Sequence, residues 1–205
     1  MEYASRILEN TVEEIALLPG IGRKTALRLA LHLIRRGPDA SRKLAAALAE
    51  MADKLQHCEL CHNISDARIC SICDNPHRNE SVICVVEDIR DVMAIEATGQ
   101  FKGRYHVLGG LISPLDGLGP AQLQIDSLIE RVQQGPVQEV LFALGATVEG
   151  DSTAFYIFRK LEPLAIQVTA ISRGIGVGDQ LEYADEVTLA RSIQHRIPFE
   201  ESLRR

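Results

Sequence analysis

Four cysteines are the residues of this chain whose spacing most directly indicates chemistry. Cys58 and Cys61 form one Cys-x-x-Cys pair, and Cys70 and Cys73 form a second pair shortly after it. Each pair places two thiolates on a tight turn, and two such turns supply the four sulfur ligands of a tetrahedral zinc site. Because four sulfurs leave no open coordination position, we expect a small structural zinc knuckle without catalytic chemistry of its own.

Three acidic residues form a second group that could do chemistry. Glu87 directly follows one predicted strand, and Glu149 and Asp151 follow another on a glycine-flanked turn. In parallel α/β sheets, sites form beyond the carboxyl ends of the strands, so these carboxylates should lie at one edge. Hard oxygen ligands suit magnesium, and the arrangement resembles the acidic site of the Toprim fold, with Glu149 where aspartate is usual. The alternative is that these acids only mark helix starts, where the helix dipole favours negative charge.

A glycine hairpin near the N-terminus carries the basic residues suited to nucleic acid. Residues 17–26 read LLPGIGRKTA and resemble a helix-hairpin-helix motif, in which Gly20 and Gly22 allow a sharp turn and a close approach to phosphate. The following helix presents free N–H groups to the anion, and Arg23, Lys24 and Arg28 add positive charge. Such contacts carry no base information, so DNA binding would be sequence-independent. A self-association surface on the same hairpin and an ordinary helical hairpin remain alternatives.

Helices must position this hairpin. A helix is expected over residues 1–9, and Thr11 with Glu14 has the spacing of a capping box, which predicts that a separate short helix starts there. Apolar residues recur at the helical period over 23–36 and 39–56. The second of these helices is expected to bury a stripe made of Leu44, Ala47, Leu48, Met51 and Leu55.

The pattern changes to alternating strands and helices after Glu80. Strands are predicted over 81–86, 105–108, 137–144 and 166–171, and helices over 88–98, 121–133, 152–161 and 184–194. This alternation implies a mostly parallel α/β sheet. The first strand is a continuous apolar run, typical of a strand buried on both faces, and the lone fifth cysteine, Cys84, is expected there as a core residue.

Composition and charge narrow the classes of function. The chain has 205 residues, 46% of them hydrophobic and 24% charged, with no apolar run of transmembrane length and no signal-peptide pattern at its start. Metal-type cysteine spacing suits a reducing compartment, so we expect a cytoplasmic protein without a membrane partner. Residues 1–50 carry eight Lys/Arg and six Asp/Glu, a net of +2, although the whole chain has a net charge of −6. Only this first segment has the sign of a phosphate-binding surface.

Taken together, these motifs resemble the RecR family of bacterial recombination mediators. The resemblance covers nearly the whole chain and rests on the hairpin at 18–22, the four cysteines, VVE at 85–87, YHVL at 105–108, TVEGD at 147–151 and EYADEVTL at 182–189. It implies an α+β protein built from several parts. These parts are a helix-hairpin-helix domain over 1–56, a four-cysteine zinc knuckle over 57–78, a Toprim domain over 79–172, and a C-terminal Walker-B-like loop, helix and tail over 173–205.

The resemblance also implies a function. RecR-like proteins are not enzymes; they form dimers and ring-shaped tetramers around DNA and, with RecO and RecF, help load RecA onto gapped or single-stranded DNA. Lys24 and Arg28 would then face DNA inside the ring, and Glu87, Glu149 and Asp151 would belong to the surface that meets RecO. Zinc would be the structural cofactor, and magnesium a further candidate. The alternative from another class is a magnesium-dependent Toprim nuclease.

Overall fold

A computed structural model describes residues 5–176 and 178–202. The chain divides into two units, Met1–Leu55 and Gln56–Arg205. The helix expected over 1–9 therefore lies partly outside the described residues, as do Val177 in the predicted C-terminal loop and the last three residues of the tail.

From residue 5 onward, where its description begins, the first unit has three helices: α1 (Arg6–Ala16), α2 (Arg23–Arg36) and α3 (Pro38–Lys54). The capping box predicted at Thr11 is wrong, because α1 runs through this residue without a break. Ser5 caps the helix instead, accepting a hydrogen bond from the Leu8 N–H at 3.4 Å. The Thr11 hydroxyl donates to the Ile7 carbonyl at 2.9 Å, a bond to the preceding turn that a threonine inside a helix can form.

The core of this unit is small. Val12 of α1 packs with Ala26 and Ala30 of α2. The buried stripe predicted on α3 is wrong, because no residue of that helix is buried and Leu48 and Met51 are each about half exposed. The helical period identified the helix correctly, but one neighbouring helix pair cannot cover its apolar face. The unit therefore presents apolar surface on α3.

The second unit begins with the cysteine-containing segment. Strands β1 (Gln56–His57) and β2 (Ile64–Ser65) form an antiparallel pair, and a single helical turn, α4 (Ser71–Asp74), follows. The four cysteine side chains are buried together with Ile69 and Ile72 packed against them. Apart from the buried Ser65, this cluster forms the interior of the segment.

The rest of the unit is a four-stranded parallel sheet with helices on both faces. Its strands are β3 (Asn79–Val86), β4 (Gly103–Val107), β5 (Glu139–Ala143) and β6 (Gln167–Ala170), in the spatial order β4-β3-β5-β6. The helices of this part are α5 (Ile89–Ala97), α6 (Ile125–Gln134), α7 (Val148–Leu161), α8 (Glu186–Gln194) and α9 (Phe199–Ser202). Side chains of α6 and α7 pack on one face, and Val92 of α5 packs on the other beside Cys84, which is a core residue as predicted.

A charged network fixes the start of β3. Arg78 and Glu96 form a two-pronged ion pair, and the Tyr105 hydroxyl donates to the same carboxylate at 2.7 Å. The hydrogen bonds from Arg78 lower the pKa of Glu96, while burial raises the pKa of Tyr105. Because these residues come from the segment before β3, from α5 and from β4, the network joins three neighbouring elements.

The predicted fold class is confirmed. Helical hairpin, four-cysteine cluster, parallel α/β sheet and C-terminal helix follow one another in the expected order. All four predicted strands are present, and β3 is central with a nearly continuous buried run at its carboxyl end. In the part of the chain that the structure describes, no helix is long and apolar enough to cross a membrane.

A close approach between the β5–α7 loop and the first turn of α7 generates a stability prediction. A Cβ added at Gly150 would lie 2.0 Å from the Gly145 carbonyl oxygen, so the backbone would have to move. We expect Gly150→Ala to lower the free energy of unfolding by about 2 kcal/mol, as overpacking does. Urea denaturation measures the change.

Gly145→Ala is the matched control for this prediction. The nearest heavy atom to its added Cβ is Thr147 Cγ2 at 3.9 Å, an ordinary contact. We expect a change within about 0.5 kcal/mol. Equal stability of the two variants would contradict the close approach at Gly150.

Candidate metal centre and nucleic-acid interface

The four cysteines converge on one point. The Sγ atoms of Cys58, Cys61, Cys70 and Cys73 all lie within 4.8 Å of one another, and all four residues are buried. The Cys61 and Cys70 sulfurs are 3.5 Å apart, close to the spacing of about 3.8 Å between sulfurs around a tetrahedral zinc with Zn–S bonds of about 2.3 Å. The donor set and its geometry therefore fit zinc.

Backbone N–H groups donate to two of the sulfurs, and such hydrogen bonds stabilise the thiolate form. The Cys70 N–H donates to Cys58 Sγ at 3.3 Å, and the Cys73 N–H donates to Cys70 Sγ at 3.5 Å. The hydrogen bond between the two side chains raises the pKa of Cys61 and lowers the pKa of Cys70, so the pair holds a proton between its sulfurs when no metal is bound. A zinc ion replaces such protons and ionises all four thiols.

Three contacts attach this cysteine knuckle to the parallel sheet. The Val107 N–H donates to the Cys61 carbonyl at 2.8 Å, which links the knuckle to the end of β4. Arg131 of α6 donates from the same Nη1 atom to the Leu60 carbonyl at 3.1 Å and to the Tyr105 carbonyl at 2.7 Å. The knuckle is therefore held by a helix and by a strand at once.

His62 supplies the third attachment and an unusual backbone conformation. It has a φ of 60°, in the left-handed region where a residue with a side chain is strained. Its Nε2 lies 2.9 Å from the Ser127 hydroxyl, and its ring packs edge-on against His106 at 5.1 Å between centroids. These contacts offset the strain. Because His62 contacts α6 and β4 and the four sulfurs are complete without it, its role is to support the knuckle.

The predicted basic hairpin has the expected turn. Gly20 adopts a φ of 78°, and the Ile21 N–H donates to the Leu18 carbonyl at 3.0 Å, so the chain reverses between α1 and α2. Gly22 is the residue that precedes α2, and open space surrounds both glycines. The backbone of the hairpin is accordingly accessible to a phosphate.

The three basic side chains do not share one environment. Arg23 forms an ion pair with Glu13 of α1 at 2.8 Å. Part of its positive charge is therefore neutralised by a contact between the two helices. Lys24 and Arg28 are exposed one helical turn apart on α2, and no ion pair among the described residues engages either of them. These two cations are therefore available to an external anion.

The same face of α2 is also apolar. Lys24 and Arg28 line a groove of about 500 Å³ together with Leu27, Leu31 and Ile34. Leu31 and Ile34 remain well exposed. The structure thus fits both possibilities that the sequence leaves open for this hairpin, contact with a DNA backbone and self-association.

The structure places Glu149 and Asp151 at a helix start, as the alternative interpretation expected, and not on the predicted turn. Glu87 follows the end of β3 as expected, but Glu149 and Asp151 lie inside the first turn of α7, not on a turn that precedes it. Thr147 caps this helix, since its hydroxyl accepts the Gly150 N–H at 3.0 Å. Because Thr147 supplies the cap, α7 starts at Val148, four residues before its predicted start at 152, and so includes both acids.

Two arginines already occupy the Asp151 carboxylate. Arg173 donates to its Oδ1 at 2.5 Å, and Arg191 Nη2 lies 3.7 Å from its Oδ2. Burial, followed by repulsion from Asp91 and Asp88, raises the pKa of Glu87. The arginine pairs already neutralise Asp151, and among the described residues only the four cysteines converge as a metal site would, so this donor set does not fit magnesium as it is arranged. Nothing local in the sequence marks Arg173, Arg191 or Arg131 as partners, because each contact joins residues far apart in the chain.

Comparisons with protein families match successive parts of the chain. A Toprim domain model matches residues 81–172. Three models of RecR match the remainder: the helix-hairpin-helix over 8–52, the four-cysteine zinc finger domain over 55–75 and the C-terminal part over 174–197.

Similarity to individual proteins extends over the full length. The chain is 57% identical to the recombination protein RecR of Flavobacterium psychrophilum over 204 residues, covering 100% of this chain and 99% of that protein. It is 55% identical to RecR of Porphyromonas gingivalis over 203 residues, covering 99% and 98%. It is 52% identical to RecR of Bacteroides fragilis over 198 residues, covering 97% of each.

The zinc-finger match and the sulfur cluster agree. Together they confirm the predicted structural zinc site at Cys58, Cys61, Cys70 and Cys73. We predict that Cys70→Ser lowers the bound zinc well below the level of about one ion per chain and lowers Tm by roughly 5–10 °C, since the knuckle has no other apolar interior. Elemental analysis and calorimetry measure the two quantities.

Cys84→Ala is the control for this variant. It also removes a buried cysteine thiol, but from the sheet core and away from the cluster. It should keep the wild-type zinc content. Full zinc content in Cys70→Ser would contradict the assignment of this residue as a ligand.

Proposed function

The chain belongs to the RecR family of recombination proteins, and on this basis we propose that it is a non-catalytic, DNA-binding recombination mediator. It would act in the bacterial cytoplasm at the nucleoid. In this proposal several copies form a ring-shaped clamp on single-stranded, double-stranded or gapped DNA. With RecO, and with RecF at some junctions, the clamp promotes the loading of RecA.

The observation that carries the DNA-binding part is the pair of free cations on α2. Lys24 and Arg28 are exposed, lack an ion-pair partner within the described residues, and follow a hairpin whose backbone is open to solvent. Phosphate contact through lysine, arginine and helix N-terminal N–H groups holds DNA without reading its sequence. Arg23, Gly20 and Gly22 would support the same contact.

Assembly reconciles this contact with the acidic composition. Lys and Arg number 22 against 28 Asp and Glu, so a single chain has little net attraction for DNA. Several copies that turn their α2 cations toward one opening would concentrate positive charge there and leave acidic surface outside. The exposed apolar side chains of α2 and α3, including Leu31, Ile34 and Leu48, support self-association of the first unit.

The acidic edge would serve recognition in this proposal. Glu87, Glu149 and Asp151 would belong to the surface that meets RecO. The nuclease alternative has no specific observation in its favour, because Asp151 is engaged by arginines and the donor set does not fit magnesium.

The proposed DNA contact can be tested at the two α2 cations. We expect Lys24→Glu with Arg28→Glu to weaken binding of a single-stranded oligonucleotide by at least about tenfold, because phosphate contacts dominate such affinity. The dependence of log K on log salt should also become shallower. Fluorescence anisotropy across a salt series measures both effects.

A charge-matched variant shows whether weaker binding comes from the loss of this surface or only from the change in net charge. Arg42→Glu with Lys43→Glu makes the same change in net charge on α3 and should bind close to wild type. The mass of each variant in solution shows whether assembly is retained. Normal binding by the Lys24/Arg28 variant, with its assembly intact, would remove α2 from the proposed DNA surface.

The proposed absence of nuclease activity can also be tested. Pure protein incubated with labelled gapped DNA and magnesium should leave the DNA intact, since the acidic edge does not present a magnesium site. Gel electrophoresis resolves any product. Cleavage that disappears in Glu87→Ala would overturn the non-catalytic proposal and favour the nuclease.

A further inference from the structure

The C-terminal segment, residues 173–202 apart from Val177, has few apolar contacts to hold it. No residue of α8 is buried, and Leu181, Tyr183, Val187 and Ile193 of this segment are each more than half exposed. The segment follows β6 through a stretch with three glycines, of which Gly178 has a φ of 93°. Hydrophobic packing therefore contributes little to its position.

Two ion pairs provide a specific attachment instead. Each oxygen of the Asp151 carboxylate faces a different guanidinium, with Arg173 at 2.5 Å and Arg191 at 3.7 Å. The three side chains are about one-third to one-half exposed, so the charges are partly shielded from water. Partial burial strengthens such pairs over fully exposed ones.

The two arginines belong to parts of the segment that touch each other. A Cβ added at Gly174, the residue after Arg173, would lie 3.6 Å from the hydroxyl of Ser192, the residue after Arg191. The start of the segment and α8 therefore form one small body. Asp151 binds this body at two points.

We propose that Asp151 is an electrostatic latch that holds the C-terminal segment closed on the first turn of α7. The arginines take the place that a cation would occupy in this acidic group, which accounts for its poor fit to magnesium. While the latch is closed, each Asp151 carboxylate oxygen is engaged by an arginine and is less available to other cationic groups. Opening it frees the C-terminal segment to move away from α7.

Hydrogen exchange on the full-length protein tests the latch. In Asp151→Asn, the amides of α8 should exchange roughly three- to tenfold faster than in wild type, the effect expected for losing two partly shielded ion pairs. The amides of α7 should keep their wild-type rates, because only the segment is released. Unchanged exchange in α8 would overturn the proposal.

Further variants distinguish a latch from a general loss of stability. Glu149→Gln removes a charge from the same helical turn without touching either arginine and should leave α8 unchanged. Arg173→Gln with Arg191→Gln should reproduce the effect of Asp151→Asn, and adding Asp151→Asn to that pair should cause no further increase. Additive effects would show that the residues act separately and would contradict the latch.

A salt series needs no substitution. Raising sodium chloride to about 1 M should accelerate α8 exchange in wild type toward the Asp151→Asn rate, since the Debye length falls to about 3 Å. The same salt should have little effect on the variant. Equal salt responses in both proteins would rule out an electrostatic attachment.

Discussion

The four-sulfur cluster is the constraint on which the middle of this structure depends. The segment between the helical unit and the sheet has two short strands and one helical turn, which cannot enclose an apolar core. Its interior is the cysteine cluster, so its stability is the stability of the zinc–thiolate bonds. The backbone carbonyls of Cys61 and Leu60 accept hydrogen bonds from the Val107 N–H and from Arg131. The positions of these carbonyls depend on the turn that the metal-binding cysteines hold in place.

Sequence patterns identified the parts of this molecule that depend on local order. The cysteine spacing identified the zinc site. The apolar run at 81–86 identified the central strand, because a strand buried on both faces is apolar along nearly its whole length. The turn at Gly20 was also readable, since few other residues adopt its φ of 78°.

The failures have equally specific causes. A capping-box spacing at Thr11 did not start a helix, because Ser5 had already capped one. The apolar stripe of α3 met no partner within its unit, since periodicity shows which residues share a face but not whether another element covers it. The Arg173–Asp151 and Arg131–Leu60 contacts join distant residues, and neither side of such a contact marks the other in the sequence.

Arg131 also has an electrostatic role at the knuckle, beyond its hydrogen bonds. Four thiolates around one zinc carry a net charge of about −2, so the bound centre is an anion inside the protein. Burial lowers the pKa of Arg131, and the charges of Cys73, Cys61 and Cys58 oppose that shift. The guanidinium, which donates to the Leu60 carbonyl of the knuckle, therefore places a positive charge near the cysteine cluster. A zinc tetrathiolate bound there would be an anion beside this cation, so the attraction between them would favour both metal uptake and the contact with α6.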